Sequence, residues 1–385
     1  MQVPPLDQEN QQLYIGMMSG TSMDGIDGVL CSINHLGQSE ILVHTSSEYT
    51  PELKQVLQEL QQPIDNEIHI EALAANRVAQ EYALVIQRIL RLAKIGASSV
   101  VAIGAHGQTI RHQPKVSNQF GYSKQCLNGS LLAELTNIDV VNDFRSRDIA
   151  ASGQGAPLVP AFHQIQFGSN RHAKAILNLG GIANLTLLNP GQPVLGFDTG
   201  PGNTLLDQWI AHHQAVNYDQ HGLWARSGNL APKLLDCFLD ESYFQCDIPK
   251  STGRDLFNFS WLQSKLSVYD HPISPEDVQA SLVELTVQSI AEHLLKYLPE
   301  CRELIICGGG TRNTFLIERL TLAIQHHLPN TLVISSEEIG LDPQTIEAIA
   351  FAWLAWSFVR RKPSNIPSVT GALGPRVLGT LHPKY

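Results

Sequence analysis

Short, nearly continuous apolar runs separated by polar, glycine-containing turns recur along the chain, and twice they come in pairs. Residues 13–18 and 26–30 flank Ser19-Gly-Thr-Ser-Met-Asp-Gly25, and residues 175–179 and 185–188 flank Gly180-Gly-Ile-Ala-Asn184. Apolar runs bounded by turn residues predict strand, turn, strand in both places. Between them the period changes: Val78, Tyr82, Val85, Ile86, Ile89 and Leu92 fall at three- and four-residue spacing, with Gly96 as a stop signal, and predict a long helix over 67–94. Ser274-Pro-Glu-Asp opens another through 298, with proline at the first position and acids in the first turn. Further helices are predicted over 131–135, 203–213, 314–327 and 344–360, and buried strands over 99–103, 138–141, 303–307 and 331–335. Residues 221–259 read as loop-rich, with Ser251-Thr-Gly-Arg-Asp255 the most polar segment, and 363–385 as irregular.

The repeated hairpin, each time followed by mixed strands and helices, predicts two copies of one α/β unit. The expected boundaries are 1–165 and 166–361, with the tail 362–385 free to join the first unit. A ligand would then lie between two facing units.

Directly after the second hairpin stands Gly196-Phe-Asp-Thr-Gly-Pro-Gly-Asn203, which places Asp198 between an apolar approach and a glycine turn that opens a helix. Small residues admit close approach of another backbone or a phosphate, although Asp-x-Gly is also ordinary turn chemistry. The first hairpin turn offers hydroxyls and amides that can cradle phosphate, or is a plain surface turn; it lacks the Gly-Lys-Ser/Thr of a P-loop. His106, Gln108 and Thr109 follow a predicted strand end, where open α/β sheets bind ligands, with a structural histidine as the competing reading. Asp143, Arg145, Arg147 and Asp148 form a polar cluster that reads either as functional or as a salt-bridged clamp. Gly308-Gly-Gly-Thr-Arg-Asn313 is strand, glycine turn, helix, a nucleotide-site geometry on weak evidence alone. Glu347 in an apolar helix is either exposed in the first turn or reaching a ligand.

Composition narrows the class. The chain has 385 residues, 43% hydrophobic and 16% charged, with a net charge of −10, which argues against electrostatic nucleic-acid binding. Six scattered cysteines without a CxxC pair fit reduced thiols. With no export-type start and no long apolar run, the expectation is a cytoplasmic protein without a membrane partner. A homodimer is compatible with the sequence but not fixed by it.

Taken in order, these segments resemble the 1,6-anhydro-N-acetylmuramic acid kinases. The matching stretches are Ile15–Gly25, Gly104-Ala-His-Gly-Gln-Thr-Ile-Arg-His112, Asp143–Asp148, Gly153-Gln-Gly-Ala-Pro-Leu-Val-Pro160, Asn178–Asn184, Gly196–Asn203 and Thr370-Gly-Ala-Leu-Gly-Pro-Arg376. Ser152 stands where glycine is expected and Met23 where leucine is more usual. The resemblance implies two related actin-like (ribonuclease H-like) α/β domains facing a central cleft, in the superfamily of actin, hexokinase and the heat-shock chaperones.

By that resemblance ATP, carrying Mg2+ with no direct protein ligand expected, would have its phosphates held by Gly20, Thr21, Ser22, Met23, Asp24, Gly25, Ile26 and Asp27. Gly180, Gly181 and Asn184 would be the partner turn, and Gly308, Gly309, Gly310 and Asn313 would approach the adenosine side. Asp198 falls at the catalytic carboxylate, and His106, Gln108, Thr109, Arg145 and Glu347 are the candidate contacts to a small amino sugar. The implied reaction opens the anhydro ring and phosphorylates O6, within cell-wall peptidoglycan recycling. A kinase of the same superfamily acting on another sugar or a carboxylate, and a non-catalytic nucleotide- and sugar-binding sensor, stand as alternatives.

Overall fold

A computed structural model describes residues 11–20, 23, 25–117 and 119–385. The chain divides into two units, one running up to Gln166 and resuming at Thr345, the other spanning Phe167–Gln344.

In the first unit β1 (Gln12–Met18), β2 (Ile26–Ile33) and β3 (Ser39–Ser47) form an antiparallel meander. The helix Glu67–Ala93 then carries the chain to β4 (Val100–Ala105), which pairs in parallel with β1. Its buried face includes Val78, Tyr82, Val85, Ile86 and Ile89, as the spacing requires, while Leu92 in the last turn is exposed; the helix ends on Lys94 in the left-handed conformation, two residues before Gly96. β5 (Gln108–Val116) and β6 (Gln119–Cys126) make a separate two-stranded ribbon, and β7 (Val140–Asn142) pairs in parallel with β4. The sheet order is β7-β4-β1-β2-β3.

The second unit repeats this plan. β8 (Lys174–Leu179), β9 (Ile182–Leu188) and β10 (Leu195–Pro201) form the meander, then β11 (Glu303–Cys307) and β12 (Leu332–Ser335) add in parallel on the other side of β8. The order β10-β9-β8-β11-β12 matches the first sheet strand for strand, in both sequence and sense. The duplication read from two hairpins therefore extends to five strands. The helix Pro275–Tyr297 starts where its signals place it: the Ser274 side chain accepts from the Asp277 amide, with Pro275 at the first position. The region expected to be loop-rich folds into short helices, among them Pro232–Leu239 and Ser242–Gln245, which pack apolar residues such as Leu234, Phe238 and Tyr243 into the second core.

The expected boundary at 361 moves to Gln344, because the helix Ile346–Val359 belongs to the first sheet. Gly16 and Gly104 are register partners on β1 and β4, and the helix backbone lies directly on them. A Cβ on Gly16 would stand 1.8 Å from the Ala348 carbonyl oxygen, and one on Gly104 1.9 Å from that of Phe351. Only glycine admits a helix this close to a sheet. The tail follows it back, and β13 (Thr380–His382) becomes an antiparallel edge strand on β7.

Candidate functional site

Asp198 lies within β10, three residues before its end, and not in the turn as its sequence suggests. The ladder to β9 shifts register between Asp198 and Gly200, a local irregularity of the kind that re-aims side chains. Asp198, Asn184 and Asn178 are register partners across β10, β9 and β8, so a polar row crosses three mostly apolar strands. The Asp198 main chain is held on both sides: its N–H donates to the Lys250 carbonyl at 3.2 Å, and its carbonyl accepts from the Tyr243 hydroxyl at 2.8 Å. Its half-buried carboxylate accepts from the Thr252 amide at 2.9 Å. Burial pushes this carboxyl up from the usual aspartate range to about 7, against that single N–H, which favours the charged form. A group poised there suits general-base chemistry at neutral pH.

The glycine turns beside it are joined through their backbones. The amides of Gly202, Asn203 and Thr204 donate to the carbonyls of Gly181, Gly180 and Gly181 at 2.9, 2.9 and 3.0 Å, and the Asn203 side chain adds a bond to Gly180. A Cβ on Gly202 would lie 2.4 Å from the Gly180 oxygen, so the contact requires glycine. In a trans peptide the N–H opposes the carbonyl. The Gly181 and Ile182 amides therefore point away from the helix start, as a phosphate cradle would need. Gly308 (φ 87°) and Gly310 pack against Leu179 at the end of β8, while a Cβ on Gly309 would meet open space. Asn313 caps the helix Thr314–His327, accepting from the Leu316 amide at 3.1 Å. The structure thus brings together Asp198, Gly180, Gly181, Asn184, Gly308 and Gly310 within the second unit.

In the first unit Thr21, Ser22 and Asp24 lie outside the described residues. Met23 and Ile26 turn their side chains into the core, which leaves only their backbones to offer a phosphate, and Asp27 meets the His44 ring at 3.2 Å. A Cβ on Gly25 would lie 2.4 Å from the Ser47 carbonyl oxygen. Gln108 is fully buried, accepting from Ser19 at 2.5 Å and donating to the Gly20 carbonyl at 3.1 Å. It supports the hairpin turn and is not available to a sugar. Thr109, the second residue of β5, accepts from Gln125 at 3.2 Å.

His106, Arg145 and Glu347 do converge. Arg145 donates to His106 Nε2 at 2.9 Å and to the Gly155 carbonyl at 2.7 Å. Because guanidinium only donates, Nε2 carries the lone pair and the ring is neutral with its proton on Nδ1. Burial and the adjacent Arg145 charge hold the imidazole far below its usual range, at about 3. His106, its ring tilted 42° against Phe351 at 4.7 Å, is a support behind Arg145 and not a titrating contact. Burial lowers Arg145 to about 10, while the charges of Glu347 and Asp148 favour its charged form. Glu347 is half-buried in the first turn of its helix.

Asp148 of the polar cluster is a clamp, although its partners are neutral donors and not arginines. Its carboxylate accepts from Asn365 Nδ2 at 2.7 Å, the Thr370 hydroxyl at 2.8 Å and the Gly155 amide at 2.8 Å. The tail segment 370–376 and the glycine loop 153–157 are thereby tied into one structure. Ser152, expected to be glycine, adopts φ 67°.

Sequence reasoning missed Asn178, Tyr243, Lys250 and Thr252. Asn178 was legible as the one polar residue in the apolar run 175–179; the other three come from the region read as loop-rich, where Thr252 lies in its most polar segment and Tyr243 and Lys250 carry no local signal. Among the described residues no group of three or more His, Cys, Asp or Glu side chains could hold a metal ion, and no helix is long and apolar enough to cross a membrane.

The twice-built five-stranded unit carries joined glycine turns beside a half-buried carboxylate, and the family that its sequence matches is one of phosphotransferases with a sugar acceptor. More narrowly, the chain belongs to the anhydro-N-acetylmuramic acid kinase family, whose sequence model matches residues 12–384. It is 49% identical over 384 residues to the anhydro-N-acetylmuramic acid kinase of Cupriavidus metallidurans, covering 99% of this chain and 100% of that one. The protein of the same name from Cupriavidus pinatubonensis is 48% identical over 375 residues, covering 96% and 98%. Among solved structures, the activator of the 2-hydroxyisocaproyl-CoA dehydratase from Clostridium difficile with bound ADPNP aligns over 91% of this chain and 96% of its own at TM-score 0.45 and 14% identity.

Proposed function

We propose that this chain uses MgATP to convert anhydro-N-acetylmuramic acid and water into N-acetylmuramic acid 6-phosphate and ADP, with Asp198 as the general base. The substrate's O6 is tied to its own C1, so no free 6-hydroxyl exists to be phosphorylated. Asp198 takes a proton from water as the water oxygen bonds to C1; the C1–O6 bond breaks, and O6 takes the γ-phosphoryl group as ADP leaves. The proton on Asp198 then returns to solvent. Phosphoryl transfer to O6 replaces the acid that a glycosidase would supply from a second carboxylate.

The observation that carries this reading is the enclosure of Asp198: a carboxyl with one N–H donor, pushed to about 7, at the polar end of a strand row. Gly180 and Gly181, with Gly20–Asp27 of the first hairpin, are the proposed phosphate cradle, and Gly308–Gly310 the adenosine side. Arg145 and Glu347 are the proposed charged contacts to the sugar, with His106 behind Arg145. The product would feed amino-sugar recycling from the cell wall.

The test is the reaction run in 18O-labelled water with anhydro-N-acetylmuramic acid, N-acetylmuramic acid and N-acetylglucosamine as separate acceptors. Label at C1 of the phosphorylated product, with ADP released only for the anhydro sugar, is expected. Unlabelled product, or faster ADP release with N-acetylmuramic acid, would overturn the hydrolytic step.

A further inference from the structure

Residues 202–274, between β10 and the helix Pro275–Tyr297, have no counterpart of similar size in the first unit, where residues 48–66 make the same connection. One part of this segment wraps the Asp198 strand. Tyr243 and Lys250 are each 8% exposed. The Lys250 ammonium donates to the carbonyls of Tyr243 at 3.0 Å and Phe244 at 3.4 Å and lies 4.5 Å from the centre of the Tyr243 ring, with the charges of Asp247 and Lys296 acting on it in opposite senses. A buried cation whose direct contacts are carbonyls and a ring face is unfavourable to retain for stability alone. Tyr243 packs edge-on against Phe257 at 5.7 Å, and Gly200 leaves room for Phe244, since a Cβ there would lie 2.7 Å from that ring. The bracket closes on Asp198 from both directions, through the Tyr243 hydroxyl and the Lys250 carbonyl.

We infer that Tyr243 and Lys250 are positioning residues for the base: Lys250 fixes the Tyr243 ring, and the Tyr243 hydroxyl fixes the peptide that aims the Asp198 carboxylate. The inference rests on the assignment of Asp198 as base. It gives the otherwise unassigned 243–252 segment a task in turnover and not in substrate binding.

Without the Tyr243 hydroxyl the Asp198 peptide gains freedom, and its carboxylate turns further into water. Two consequences separate this from a merely structural role. The first is a kcat about tenfold lower with KM for both substrates within about twofold, the size of one lost hydrogen bond acting on the transition state. The second is an acid limb of the rate profile displaced to lower pH, because exposure relieves the burial that raises the carboxyl. Tyr243, Cys246, Asp247, Lys250, His293, Lys296 and Tyr297 are titratable groups around this strand; burial moves Tyr243 upward and His293 down to about 4.

The experiment measures kcat, KM and the pH–rate profile of Tyr243→Phe, Lys250→Met and Asp198→Asn in the full chain, with melting curves alongside. Both bracket variants are expected to lower kcat, keep KM and shift the acid limb downward; if Tyr243→Phe melts below the assay temperature, Lys250→Met is read alone. Near-normal turnover of Asp198→Asn would overturn the base itself. An Asp198→Asn variant inactive by about 10²-fold or more, beside bracket variants with unchanged kcat and acid limb, would overturn only the positioning role.

Discussion

Two aspartates, Asp148 buried in the first unit and Asp198 half-buried in the second, are treated in opposite ways. Asp148, in the first unit, has three donors on its carboxylate, two from the tail side chains Asn365 and Thr370 and one from the Gly155 amide. Asp198, in the second, has one, from Thr252. A carboxylate that accepts three donors is a fastener, since each charge-assisted bond ties a segment of the chain to it. A carboxylate enclosed with a single donor is left with unfilled acceptor capacity and a raised pKa. Burial alone does not distinguish structure from chemistry; donor count does.

The largest effect that tests this contrast is on turnover. Asp198→Asn is expected to fold, to bind ATP and to lose at least ~10²-fold in kcat, the low end for a general base, as read by coupled ADP release. In the parent chain the rate should fall as pH drops below about 7, because only the ionised carboxyl accepts the water proton. A flat profile from pH 5 to 8 would remove the base assignment.

Next in size is Asp148→Asn, which should weaken the fold. Asparagine offers one oxygen and presents an NH2 group where a donor already stands, so at least one of the three donors is left facing another. A loss of about 2–3 kcal/mol is expected from the denaturation midpoint, the range for breaking a buried charged network. If stability were unchanged, the clamp reading would fail.

The same substitution at Asp198 should act with the opposite sign. The folded pKa, about 7, lies above the unfolded value of about 3.9, so wild-type stability from this group is fully present below pH 4 and is lost as pH rises to 7. Asp198→Asn escapes that loss. It should match or trail the parent at pH 4 and exceed it by about 2 kcal/mol at pH 8, measured by urea unfolding at both values. Equal midpoints at the two pH values would mean that the carboxyl is not strained by burial.

The strands and the duplication were legible because short apolar runs and glycine punctuation are local signals, and both hairpins carry them. Asp198 was legible as an aspartate among glycines, but not its place inside β10, since Asp-Thr-Gly-Pro-Gly reads as turn chemistry until the ladder to β9 is seen. The boundary at 344 was hidden for a long-range reason: the helix Ile346–Val359 is apolar on every side, and nothing in its own sequence says that Gly16 and Gly104 receive it. Gln108 and His106 follow a strand end, which makes them candidate ligand contacts with a structural histidine as the competing reading; the structure engages both with neighbours, Ser19 with Gly20 in one case and Arg145 in the other.

The smallest expected effect lies at the edge of the Asp148 clamp. Ser152 is exposed, adopts φ 67° and donates its amide to the Ile149 carbonyl at 2.8 Å, so the turn is fixed by backbone bonds that any residue can make. A side chain in the left-handed region is disfavoured by roughly 1 kcal/mol relative to glycine. Glycine in turn frees the unfolded chain by about 0.4–1 kcal/mol. The two terms nearly offset, and Ser152→Gly should gain at most about 0.5 kcal/mol with kcat unchanged. Ser152→Val, branched at Cβ, should lose about 1 kcal/mol or more, because such residues are true outliers at positive φ. The sign of the difference between glycine and valine is the sharper measurement: were valine the more stable of the two, strain in this turn would not be what sets the residue at 152, and the clamp would have to hold the loop in some other way.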